Sequence, residues 1–211
     1  MKILFISLGC DKNLADSEEM LGLLTGNGHE IVDSEEEADS IVINTCCFIH
    51  DAKEESVNTI LEMAEYKKTG TCKILIVTGC MAQRYKEEIT EEIPEVDAVL
   101  GTTSYGDIVK ALNEAEAGHV FQEFKDINAL PEDSGRRVIT TGGHYGYLKI
   151  AEGCDKHCTY CIIPSLRGKF RSVPEERLLK QAEYMASQGV RELILVAQET
   201  TVYGLSLIHI S

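Results

Sequence analysis

The chain has 211 residues, 44% of them hydrophobic and 26% charged, with no apolar run near the roughly 20 residues a membrane span requires. Its formal charge of −15 is uneven: residues 1–135 carry 10 Lys/Arg against 28 Asp/Glu, and residues 136–211 carry 10 against 7. A first half this acidic argues against nucleic acid as its direct partner, because phosphate contacts need positive surface, and suits a solvated face or a basic partner.

The chain opens on an Ile-rich run at 2–7, predicted as a strand. With Lys2 before it and Leu8-Gly9-Cys10 after it, the run imitates a lipoprotein signal. It is shorter than the about 7–15 residues of a signal core, and acidic residues follow at once, so a buried strand in a cytoplasmic protein is expected. Further short Ile/Val runs at 40–45, 73–78 and 97–100 are predicted strands. Amphipathic stretches near 16–27, 52–69, 83–92 and 105–117 are predicted helices. Gly26, Gly28 and Gly70 suit helix ends. This βα alternation predicts an α/β fold, a parallel sheet with helices on its faces, over residues 1–120. From 121 to 143 the pattern breaks into polar residues with Pro131, Gly135, Gly142 and Gly143, which reads as a linker. A second unit, 144–204, is predicted to begin with a strand at 147–151. A helix near 174–188 and a strand at 192–197 then complete one βαβ unit.

Eight cysteines point to metal or redox chemistry rather than disulfides in such a protein. Three of them lie in Glu152-Gly-Cys-Asp-Lys-His-Cys-Thr-Tyr-Cys161, a C-x3-C-x2-C spacing directly after a strand. Thiolates of Cys154, Cys158 and Cys161 on one loop can bind three corners of an iron–sulfur cubane and leave the fourth iron open. The alternative is a zinc site borrowing a ligand such as His157, although the spacing lacks paired C-x2-C knuckles. Cys10, Cys46 and Cys80 are distant in sequence, yet each follows the end of a predicted strand by one to three residues. In a parallel sheet those ends share one edge, where open α/β sheets bind ligands, so the three are expected to converge. Buried structural cysteines are the alternative. Cys72 precedes its strand and belongs at the opposite edge. Cys47 is expected to be a buried or spare thiol.

The C-x3-C-x2-C segment resembles the signature of radical S-adenosylmethionine enzymes, and three further segments resemble those of the methylthiotransferase family. They are Ser7-Leu-Gly-Cys-Asp-Lys-Asn-Leu-Ala-Asp-Ser-Glu18, Asn44-Thr-Cys-Cys-Phe-Ile49 and Thr78-Gly-Cys-Met-Ala-Gln83. The resemblance covers about residues 1–205. It implies a methylthiotransferase domain followed by the first part of a radical S-adenosylmethionine (β/α) barrel. It also implies two [4Fe–4S] clusters, held by Cys154, Cys158 and Cys161 and by Cys10, Cys46 and Cys80, with S-adenosylmethionine on the open iron of the first. Tyr160 would pack near adenine, with core packing as its alternative. Gln198 and Glu199 would meet the methionine end, with a solvated loop as theirs. Arg167 and Arg171 would meet cofactor or substrate carboxylates, or be surface charges. His50, His144 and His157 are given no role.

Within the family, Gly-Cys-Asp-Lys-Asn-Leu, Cys161-Ile-Ile-Pro-Ser-Leu-Arg-Gly168 and Ala197-Gln-Glu-Thr-Thr-Val-Tyr-Gly204 resemble the branch that modifies an aspartate β-carbon in the twelfth protein of the small ribosomal subunit. The tRNA-adenosine branch is the near alternative. A non-catalytic iron–sulfur or zinc electron-transfer module is the alternative of another class. The resemblance implies a ribosomal-protein substrate, an electron donor such as flavodoxin or ferredoxin, and no membrane partner. The last seven residues, 205–211, do not resemble the family's continuation. They read as a non-native tail on a C-terminally truncated chain, expected to be inactive alone.

Overall fold

The computed structural model describes residues 1–132 and 135–207. The first half is a six-stranded parallel sheet in the order β2-β1-β3-β4-β5-β6. Its strands are β1 (Lys2–Ser7), β2 (Glu30–Val32), β3 (Ser40–Thr45), β4 (Ile74–Gly79), β5 (Ala98–Leu100) and β6 (Phe121–Glu123). The central strands β3 and β4 are buried along their whole length, as strands covered on both faces must be. Their side chains alternate between two cores. Ile41, Ile43, Leu75 and Val77 pack on one face against α2 (His50–Thr69) and α3 (Cys80–Glu92). Val42, Ile74 and Ile76 pack on the other, against α1 (Asp11–Gly26) and α4 (Ile108–Glu116). Parallel pairing of all six strands then puts their C-terminal ends on one edge.

Two edge strands, β2 and β6, escape the sequence reading. Each has only three residues, Glu-Ile-Val and Phe-Gln-Glu, too few to show a period. Residues 121–123 were expected to begin the linker, but instead pair with β5. Helix α3 also departs from expectation, because Lys86 (φ 36°) kinks it.

The second half is a βαβ unit: β7 (Tyr145–Lys149), α6 (Glu175–Ser187) and β10 (Glu192–Val196), with β10 parallel to β7. Between β7 and α6 lie β8 (Ala151–Glu152), α5 (Ile163–Arg167) and β9 (Arg171–Ser172). The single strand predicted at 147–151 is thus divided. At Ile150 the backbone changes partner: its N–H donates to the Val196 carbonyl, and its own carbonyl accepts from the N–H of Val173, the residue after β9. Leu205–Leu207 form a 3-10 turn, and the rest of the predicted tail lies outside the described residues, as do two linker positions. Among the described residues no helix is long and apolar enough to cross a membrane.

The described linker is strapped to α1. The N–H of Val138 donates to the Glu18 carbonyl at 3.0 Å, and the N–H of Thr140 to the Glu18 carboxylate at 2.7 Å. Gly22 permits the approach, since a Cβ there would lie 2.6 Å from the Arg136 carbonyl oxygen.

Candidate metal and cofactor site

Cys10 stands at the N-cap of α1, Cys46 directly after β3, and Cys80 opens α3 after β4. Two glycines make these turns possible. Gly9 has φ +98°, and a Cβ on it would fall 2.8 Å from Cys46 Cβ, so only glycine lets the Cys10 loop lie against Cys46. Gly79 has φ +93°, and a Cβ there would be 2.3 Å from Asn44 Oδ1. The two Gly-Cys pairs are thus tight turns that aim cysteines off the strand ends.

Asn13 ties these ends together. Its side-chain amide donates to the carbonyls of Leu8 (3.0 Å) and Thr45 (2.9 Å), closing the Cys10 loop onto β3. Asn44 reciprocates by donating to the Asn13 carbonyl at 2.9 Å. The thiol of Cys80 donates to Asn13 Oδ1 at 3.8 Å.

Cys10, Cys46 and Cys80 all line one cavity of about 1130 Å³, together with Cys154, Cys158 and Cys161. Tyr160, Gln198 and Glu199 line it too. The structure therefore brings these nine residues to one cavity, which Arg167 also lines and Arg171 does not. Cys72 is buried and bonds to Ile74 O at the far end of β4. Cys47 points into the core and donates to the Cys80 carbonyl at 3.2 Å. Burial pushes its thiol up to about 11, so it stays protonated. Burial also raises Cys80, but the Arg167 guanidinium beside it works against the rise.

The cofactor-facing residues differ in character. Tyr160 is 90% exposed at the cavity wall and packs in no core among the described residues. Gln198 has both amide atoms buried without a hydrogen-bond partner among the described residues. A buried amide of this kind calls for a hydrogen-bond partner, whether an ordered water or a bound group. Glu199 is instead engaged: Lys156, between Cys154 and Cys158, bonds to it and holds its carboxyl down to about 2, with help from Thr201. It anchors the cysteine loop to the strand end.

Arg167, expected at a ligand carboxylate or on the surface, is buried in an ion cluster between the halves. Its Nη1 reaches Asp16 Oδ2 at 2.7 Å, and its Nη2 donates to Asn13 Oδ1 at 2.5 Å. Lys149 pairs with Asp16 and, at 2.5 Å, with Glu152. Arg137 pairs with Glu18 at 2.5 Å. Burial pushes Glu152 up, but Lys149 and Arg167 outweigh it and hold the carboxyl below its ordinary range. Apart from Lys149 and Glu152, neighbours in sequence, these partners stand 119 to 154 residues apart. The only local signal in the sequence is a polar run, Asp16 to Glu19, inside α1.

The donor set fits iron–sulfur clusters. Two groups of three cysteines open on a common cavity, and thiolate is the protein ligand such clusters take. Among the described residues no three His, Cys, Asp or Glu side chains meet closely enough to hold a single ion. A cubane gives each thiolate its own iron and does not ask three sulfurs to share one point.

Residues 2–101 match the uncharacterized protein family UPF0004, and residues 148–209 match the radical SAM superfamily. A UPF0004 match is thus followed by the start of a radical SAM match, a superfamily whose attributes are S-adenosylmethionine and iron–sulfur chemistry. The methylthiotransferase resemblance stands. The chain is 66% identical over 207 residues to ribosomal protein uS12 methylthiotransferase RimO of Lachnoclostridium phytofermentans, covering 98% of this chain and 47% of the relative. It is 51% identical over 207 residues to the protein of the same name from Clostridioides difficile, with the same coverage. Over 213 residues it is 51% identical to that of Acetivibrio thermocellus, covering 98% and 47%. The chain spans about half the length of the curated relatives it matches.

Proposed function

We propose that this chain is part of a radical S-adenosylmethionine methylthiotransferase that adds a methylthio group to an aspartate β-carbon of ribosomal protein uS12. The observation that carries this reading is the single cavity shared by the two cysteine triplets. Residues 1–120 form the methylthiotransferase unit, 121–143 the connection, and 144–204 the beginning of the radical domain. Cys154, Cys158 and Cys161 hold one [4Fe–4S] cluster, and Cys10, Cys46 and Cys80 hold a second. When bound, the clusters and S-adenosylmethionine supply a carbon radical that removes the substrate hydrogen and a methylated sulfur that takes its place.

The chain's own residues bind, orient and shield. Gln198 offers a buried amide donor and acceptor to the methionine end of the cofactor. Tyr160 offers an exposed ring to the adenine. The Lys156–Glu199 pair fixes the cysteine loop against the end of β10. The acidic first half suits a basic protein substrate, an electron donor of the flavodoxin or ferredoxin class serves the reduction, and the cytoplasm is the compartment.

The test uses the full-length protein in a host lacking its own enzymes for uS12 and tRNA methylthiolation. Mass spectrometry of uS12 should show hydrogen replaced by a methylthio group on one aspartate. Modification found on tRNA alone would overturn the substrate, and replacing Cys154, Cys158 and Cys161 by Ala should abolish S-adenosylmethionine cleavage while iron stays at the other site.

A further inference from the structure

Arg167 belongs to the second half of the chain, yet its guanidinium lies at the cysteine edge of the first. Helix α5 starts two residues after Cys161 and ends on Arg167. Leu166, just before it, packs in the core formed by β3, β4 and α3, and its carbonyl accepts from Thr102 Oγ1 at 2.8 Å. That plug aims Arg167 at the cavity, where it is 2% exposed. Asn13 Oδ1 accepts both from Arg167 Nη2 (2.5 Å) and from the Cys80 thiol (3.8 Å), so guanidinium and sulfur are neighbours on one oxygen. Asp16 fixes the other arm at 2.7 Å.

A site of three thiolates in an acidic domain accumulates negative charge where Cys46 and Cys80 are buried. Such charge needs a nearby compensating cation, and arginine keeps its charge at any working pH. We propose that Arg167 is a positioning residue coupling the two cysteine sites: from the segment directly behind the Cys154–Cys161 loop it presents a fixed positive charge to Cys80, and so tunes the group held by Cys10, Cys46 and Cys80. Groups around metal ligands orient them and set the redox potential of what they hold. The inference rests on the two-cluster reading above.

The experiment takes full-length protein carrying Cys154→Ala, Cys158→Ala and Cys161→Ala, reconstituted anaerobically with iron and sulfide, so that only the first-half site is loaded. Iron per chain and the midpoint potential from an EPR-monitored titration are compared for Arg167, Arg167→Lys and Arg167→Gln. Arg167→Gln should move the midpoint to a more negative value, because lost positive charge destabilises the reduced cluster. Arg167→Lys should restore most of the shift, and Lys180→Gln, an exposed charge on α6, should leave it unchanged. If Arg167→Gln instead loses iron, loading and potential must be rescued by Arg167→Lys. An unshifted potential in an iron-loaded Arg167→Gln, or a Lys variant no better than the Gln variant, overturns the inference alone. An iron-free background variant overturns the two-cluster reading and the inference with it.

Discussion

Glu19 shows how far burial can move one side chain. It lies in α1 and accepts from the Tyr105 hydroxyl at 3.1 Å. Burial lifts its carboxyl above the ordinary 4.5, with Lys149 opposing and Asp16 adding to the rise. A carboxyl whose folded pKa is raised contributes fully to stability below its ordinary value. That contribution is lost as pH rises through the folded value. Glu19→Gln, which keeps an acceptor for Tyr105, should therefore gain thermal stability relative to the parent as pH climbs from about 5 toward 8. Parallel melting curves that keep a constant offset across that range would refute the assignment. Gly79 is constrained in the opposite way, by space. At φ +93° and with Asn44 Oδ1 in the path of a Cβ, Gly79→Ala should cost at least about 1–3 kcal/mol and displace Cys80. Urea unfolding and iron loading of the variant read the two effects separately.

At the scale of elements, α1 meets the second half through polar groups, while α5 adds an apolar plug, Leu166, beside its charged end at Arg167. Asp16, Ser17, Glu18 and Glu19 are all buried on α1, and α5 brings Arg167 against the first of them. Removing one member of a buried ion pair strands the other, which is why such changes cost more than the intact pair contributes. Glu18→Ala leaves Arg137 buried and uncompensated and releases Thr140. It should destabilise the chain by about 3–5 kcal/mol. Hydrogen exchange should rise at residues 137–140 before it rises in β3 or β4. Equal exchange rates in parent and variant along that strap would show that the linker is held by something other than Glu18.

For the whole molecule, the charge division matters most at encounter. The acidic first half forms the complete sheet, and the six cysteines open at its junction with the second half. A field of that sign accelerates approach of a basic protein, and the effect weakens as salt shortens the Debye length from about 10 Å at 0.1 M toward about 3 Å at 1 M. Association of the full-length protein with uS12 should thus slow with added salt mainly in the on-rate, as stopped-flow measurement can show. A salt-independent on-rate would remove electrostatic steering from the account.

The sequence alone determined the parallel sheet, because the Ile/Val runs of β1, β3 and β4 are local signals that hydrophobic burial reads directly. It also determined the convergence of Cys10, Cys46 and Cys80, since strand ends in a parallel sheet have no choice of edge. The C-x3-C-x2-C loop was legible for the same local reason. Only the tertiary structure decided that both triplets open on one cavity, that Lys156 occupies Glu199, and that Arg167 leaves the surface for the Asp16–Asn13 seat. It alone supplied β2 and β6, whose three residues take their conformation from a neighbouring strand. The physical reason is common to these cases. An ion pair or edge pairing between residues far apart in sequence leaves no period or spacing in the chain, and becomes favourable only once the packed cores have brought the partners into reach.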